Sequence, residues 1–154
     1  MPTKIRIFDA FTGISAWDHK AIVQFILAHS KGASRKDVCE SIDYALKNKP
    51  SFGGFVLTLW EERELLGVLV CNSTGMAGYS PRNVFVFVVV LPSDTHDEAI
   101  LQKLLDEGVK RADGDIALHL EPGHPALPLY EDRGFQPQYL ELRFPKKPST
   151  AQAR

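Results

Sequence analysis

The sequence predicts an α/β protein, with one mixed sheet whose elements run β-α-α-β-β-β-α-β-α-β. Three observations carry that prediction. Short alternating or wholly apolar runs are interleaved with longer stretches whose apolar residues recur every three or four positions. The runs at residues 55–60 and 65–71 are separated only by Glu61-Glu62-Arg63-Glu64, a connection short enough for an antiparallel hairpin. Residues 83–91 form the most apolar run, which predicts a central strand buried on both faces.

Ile5 and Ile7 alternate with Lys4 and Arg6, giving a half-buried first strand at residues 4–8. Trp17, Ala21, Ile22, Phe25 and Ile26 share one helical face, with Ser15 as N-cap and Gly32 beyond the end. Ser34, three residues before Asp37, opens a second helix through Val38, Ile42, Ala45 and Leu46 that closes before Pro50. The hairpin follows, and then a loop by composition at residues 72–82. Beyond the apolar run, Ser93 or Asp94 caps a helix with Ile100, Leu101, Leu104, Leu105 and Val109 on one face. Gly114-Asp115 breaks it ahead of a strand at residues 116–120. A short helix at residues 125–133 ends at Gly134, and residues 139–144 alternate as a last strand. Residues 1–144 thus read as a single domain, and residues 145–154 as a polar, disordered tail.

A length of 154 residues suits one well-buried core, and 44% hydrophobic with 24% charged residues is ordinary for a soluble protein. The net charge of −1 offers no field to recruit nucleic acid or an anionic membrane, so neither is expected as a partner. Cys39 and Cys71 have no metal-ligand spacing, and they read as buried thiols with no metal site. With no signal pattern at the N-terminus and no apolar run long enough to span a bilayer, the expected location is cytoplasmic.

Residues 129–135, Leu-Tyr-Glu-Asp-Arg-Gly-Phe, are similar to the Leu-Tyr-Glu-Lys-x-Gly-Phe motif of the GCN5-related N-acetyltransferases. Leu66-Gly67-Val68-Leu69-Val70 resembles that family's strand entering the core, and residues 74–83 resemble the loop of a bacterial branch. The element order matches over roughly residues 3–144. The resemblance implies a splayed central strand pair and direct attack of an amine on the thioester of acetyl-CoA, the co-substrate. Pantetheine would pair with the backbone of Val88, Val89, Val90 and Leu91. Tyr130 would be the general acid toward the leaving thiolate. His124, where many members carry Asn, would reach pantetheine or take the amine's proton, or else face solvent or cap the turn. His119 would point into the cleft or, on the safer reading, be a satisfied core histidine. The apolar run contains no carboxylate, which leaves Glu121 as the nearest candidate base.

The family's pyrophosphate turn, Gln/Arg-x-x-Gly-x-Gly/Ala, falls on residues 95–101. His96 takes the basic position, Ala99 the first glycine and Leu101 the second, with Ile100 between them. No glycine remains, and Asp94, Asp97 and Glu98 crowd the turn. A carboxylate about 6 Å from a phosphate charge costs roughly 3 kcal/mol at an effective dielectric near 20. A micromolar ligand is held by only about 8 kcal/mol. Leu101 adds a steric objection. The favoured reading is an acetyl-CoA-dependent N-acetyltransferase acting on a small-molecule or protein amine. The alternative is a non-catalytic binding module of the same fold that has lost pyrophosphate binding. Homodimerisation is left open.

Overall fold

Ser15 and Ser34 start the first two helices as their sequences predict: each hydroxyl accepts a hydrogen bond from the amide three residues on, Asp18 at 3.0 Å and Asp37 at 3.1 Å. The computed structural model describes residues 2–93 and 96–146. Among them the order is β1 (Lys4–Phe8), α1 (Ala16–His29), α2 (Arg35–Ala45), β2 (Gly54–Glu61), β3 (Glu64–Ser73), β4 (Asn83–Val90), α3 (Asp97–Arg111), β5 (Ile116–Ala117) and α4 (Leu127–Asp132). The sheet order is β1-β2-β3-β4-β5; the first four strands are antiparallel and β5 joins β4 in parallel.

Strand alternation distributes the core over two faces. Val56, Val68, Val70 and Val89 pack with Ile22, Ile26, Val38 and Ile42 of α1 and α2. Leu57, Leu59, Leu69 and Phe85 pack with Ile100, Leu101, Leu104 and Leu105 of α3, and Tyr130 of α4 joins that face. Two helical faces differ from the periodicity reading. Trp17 is 68% exposed and Val109 41% exposed, while Val23 and Gly108 turn inward.

Gly67 lets α3 close on the sheet, because a β-carbon there would stand 2.7 Å from Leu104 Cδ1 and 3.1 Å from Ile100 Cγ2. Gly67→Val is therefore expected to cost about 1–3 kcal/mol through overpacking, read as a lower urea midpoint. An unchanged midpoint would show that α3 yields freely.

Three strand expectations need correction. β2 and β3, not β4, are the strands covered on both faces; in β4, Val86 is 40% exposed and Phe87, Val88 and Val90 are half-buried. The reason is that β5 spans Ile116–Ala117 rather than residues 116–120, so most of β4 lacks a neighbour on that side. Residues 139–144 form no strand, and Tyr139, Leu140, Leu142 and Phe144 stand exposed. A two-residue β5 presents too little ladder for them to join. The tail beyond residue 146 lies outside the described residues.

Both cysteines are free; Cys39 is half-buried and Cys71 buried. Burial pushes the Cys71 thiol up to about 12. A thiol so protonated is inert. Iodoacetamide is expected to label Cys39 in the native protein and Cys71 only after denaturation, with peptide mass as the readout. Equal native labelling would contradict the burial.

Candidate functional site

The site is built on a failure of strand pairing. β4 and β5 share only the pairs Asn83↔Ile116 and Val84↔Ala117. Immediately beyond, Cys71 pairs with Phe85 and Val70 with Phe87, so Val86 is an extra residue in β4. Such a bulge bends the strand and strengthens its twist. Among the described residues, nothing pairs with the β5 side of residues 85–90, which is left as an open edge. Parallel strands that part toward their carboxyl ends make a crevice of the kind that takes ligands in α/β sheets.

The closed end of this wedge is clasped by Asn83, which is 4% exposed. Its Nδ2 donates to the carbonyls of Asp113 at 2.8 Å and Asp115 at 3.4 Å. The Arg82–Asp113 ion pair at 2.9 Å lies beside it. Sequence reasoning missed Asn83 as a site-forming residue. The available signal was a lone amide opening an apolar strand.

Of the nominated backbone, Val88 and Val90 are the residues turned to the wedge. The Leu91 amide donates to the Leu66 carbonyl at 2.8 Å. Antiparallel alternation then directs Val89 and Leu91 at β3, and Val88 and Val90 away from it. Two of the four candidates thus have their polar groups engaged within the sheet.

Tyr130 is buried at 4% exposure, its ring edge-on to Phe135 at 5.8 Å between centroids. Among the described residues its hydroxyl has no hydrogen-bond partner, while no fully buried side-chain oxygen or nitrogen goes unsatisfied. The hydroxyl tip therefore reaches accessible space. Burial pushes this phenol up to about 12. Tyr130 and Cys71 both hold their protons more tightly folded than unfolded. Their stabilising contribution is full below the unfolded values and lost as pH rises, from about 9 for Cys71 and about 10 for Tyr130, up to about 12. Guanidine midpoints are expected to fall between pH 8 and pH 11; a flat profile would contradict both assignments.

Glu121 lies exposed just past β5, where its carbonyl accepts from the His124 amide at 3.0 Å. His124 is also exposed, and its Nδ1 accepts from the Ala126 amide at 3.0 Å, so it caps the turn before α4. His119 is not a core residue: its side chain is 60% exposed.

At the β4–α3 turn, His96 and Ala99 are exposed and line a cavity of about 360 Å³ with Ser93, Leu91 and Lys103. Asp97 and Glu98 are exposed in the first turn of α3. Local groups already use part of its anion-binding capacity. The His96 amide donates to Ser93 Oγ at 3.2 Å, and the Glu98 amide to Asp97 Oδ1 at 2.9 Å. His96, rather than Ser93, occupies the N-cap position, and Asp94 and Thr95 lie outside the described residues.

Leu101 does not obstruct the turn. It is 5% exposed and packed in the α3 face of the core, so the steric objection disappears. Ile100 is likewise buried and its amide donates to the His96 carbonyl at 3.0 Å, which removes it as a phosphate ligand. No helix among the described residues is long and apolar enough to cross a membrane, and no cluster of metal-ligating side chains occurs among them.

No family model and no curated protein matches the sequence. Solved structures do. A transcriptional regulator from Bacillus halodurans C-125 superposes with a TM-score of 0.68 at 18% identity, covering 94% of this chain and all of the other. A GCN5-related N-acetyltransferase from Ralstonia eutropha JMP134 gives 0.64 at 16% identity, covering 94% of this chain and 99% of its own. A chain of the NatC complex bound to Gag peptide and CoA gives 0.66 at 21% identity, with coverages of 90% and 87%. At such identities the likeness is one of architecture. With its mixed sheet and its parting β4 and β5, this chain has the fold of the GCN5-related N-acetyltransferases.

Proposed function

We propose that the protein is an N-acetyltransferase that moves an acetyl group from acetyl-CoA to the amine of a small molecule or protein. The observation that supports this reading is the open wedge between β4 and β5, with Tyr130 packed on the same core face as Val88, Val90, Leu118 and Leu120 and its hydroxyl unpartnered among the described residues. Acetyl-CoA would lay its pantetheine arm along the free edge of β4, meeting the backbone of Val88 and Val90. These groups are preorganised, because β3 fixes the strand on its other side. Backbone amides along this edge are also the donors available to a developing oxyanion. The pyrophosphate would meet the turn at His96 and Ala99 against the charge of Asp97 and Glu98, so binding is weak and led by the thiol end. Neighbours of this fold include a CoA-bound chain, which supports the choice of co-substrate.

Tyr130 serves the thiolate better as a hydrogen-bond donor than as a proton donor. A thiol near 8.5 and a phenol near 12 differ so that full transfer is uphill by about 5 kcal/mol. A short hydrogen bond stabilises the leaving sulfur at no such cost, and water then delivers the proton. Among the described residues, the Glu121 side chain has no partner that would orient it as a base.

Titration calorimetry tests the reading. Acetyl-CoA is expected to bind with a sub-millimolar dissociation constant, and acetyl-pantetheine nearly as tightly. No heat from either compound at millimolar concentration would sink it and leave a binding module of this architecture.

A further inference from the structure

Beside the wedge sits a charged cluster that the reading above leaves without a role. Leu118 and Leu120 pack into the core face that holds Tyr130. His119, between them, is exposed where they are half-buried, so its side chain turns away from that face. It stands two residues past the last paired position, Val84↔Ala117, where the gap opens. The residue two beyond Val84 on the other side is Val86, which is also exposed. Tyr130 thus lies on the core side of the opening and His119 on its accessible side, where an incoming amine would arrive.

The imidazole is held in place. Its Nε2 meets Oε2 of Glu141, whose other oxygen, Oε1, accepts from Nε of Arg143. Hydrogen bonding from Arg143, together with the nearby His119, holds the Glu141 carboxyl below its usual range, so it is an anion at neutral pH. An anionic acceptor on Nε2 makes that nitrogen the one carrying hydrogen, which leaves the Nδ1 lone pair free. Glu141 is the partner His119 has among the described residues, and Glu121 is the other carboxylate near this end of the strand.

We propose that His119 is the proton acceptor for the attacking amine and that Glu141 is its positioning residue, an assignment that rests on the acetyltransferase reading. The amine nitrogen forms a bond to the thioester carbonyl carbon and loses a proton to His119 Nδ1. The carbon–sulfur bond breaks, and the electron pair leaves on sulfur, hydrogen-bonded by Tyr130. The thiolate takes a proton from water, and His119 returns its proton to solvent. One amine and one thioester give one amide and one thiol.

The test uses the whole chain with acetyl-CoA and a panel comprising a simple alkylamine, a polyamine and a lysine peptide, followed by thiol release across roughly pH 5–8. His119→Gln is expected to lower kcat about a hundredfold and abolish the acid limb of the profile, with calorimetric affinity for CoA and thermal midpoint unchanged. Glu141→Gln should lose about tenfold while keeping the limb, and Glu141→Asp should recover most of it. Equal turnover and an unaltered profile in His119→Gln would overturn the assignment while leaving the acetyltransferase reading intact. Wild-type protein that binds CoA yet releases no thiol with any amine would overturn it as well. Failure of the wild-type protein to bind CoA at all would instead mark the failure of the reading beneath it.

Discussion

Tyr130→Phe is expected to lower acetyl transfer by about a hundredfold, with little change in folding stability or in affinity for CoA. The separation of these effects follows from where the hydroxyl lies. The ring is buried against Phe135, and phenylalanine keeps that packing. The hydroxyl has no partner among the described residues, so its removal strands no other polar group. On the proposed acetyltransferase reading, what is lost is a donor to charge that appears only as the carbon–sulfur bond breaks, and such donors are worth about 10²–10³ in rate. The rate should also stay flat through neutral pH on the tyrosine's account, because burial pushes its hydroxyl up to about 12. A variant that unfolds several degrees earlier, or one with full activity, would remove Tyr130 from the chemistry.

The second large effect is a gain. Asp97→Asn with Glu98→Gln is expected to tighten acetyl-CoA binding by about thirtyfold, or about 2 kcal/mol. That figure takes the unscreened repulsion of roughly 3 kcal/mol per carboxylate and reduces it for exposed groups that rotate and are screened by salt. Asparagine at 97 can still accept from the amide of residue 98 through Oδ1, so the local turn survives. Stability should move the other way, by about 0.3–1 kcal/mol per charge, because both acids now favour the helix dipole. The affinity of acetyl-pantetheine, which lacks the pyrophosphate, should not change. An equal gain for both ligands would mean that the acids act on something other than phosphate.

Most of the architecture was legible because its determinants are local. Ser15 and Ser34 announce helix starts by chemistry within three residues, and the four-residue connection between two apolar runs dictates a hairpin. The resemblance of residues 129–135 nominated Tyr130, whose ring the structure buries on the α3 face of the sheet. What was not legible depends on pairing between distant segments. Val86 sits in a run of uniformly apolar residues, so nothing in the side chains records which residue the ladder skips. Tyr139, Leu140, Leu142 and Phe144 satisfy a strand pattern, yet a pattern does not supply a neighbour. The placement of Leu101 in the phosphate turn is a different kind of error. Counting along a motif overrode the periodicity of Ile100, Leu101, Leu104 and Leu105, which already put Leu101 on the core side of the helix.

The bulge at Val86 has a consequence for how such a protein diverges. A cleft opened by main-chain geometry asks little of the side chains lining it, provided they stay apolar where they meet the interior. Homologues can then exchange nearly every residue along that rim without closing the gap. Asn83 is the exception, because its amide clasps the closed end. Descent in this architecture is accordingly better traced through shape than through letters.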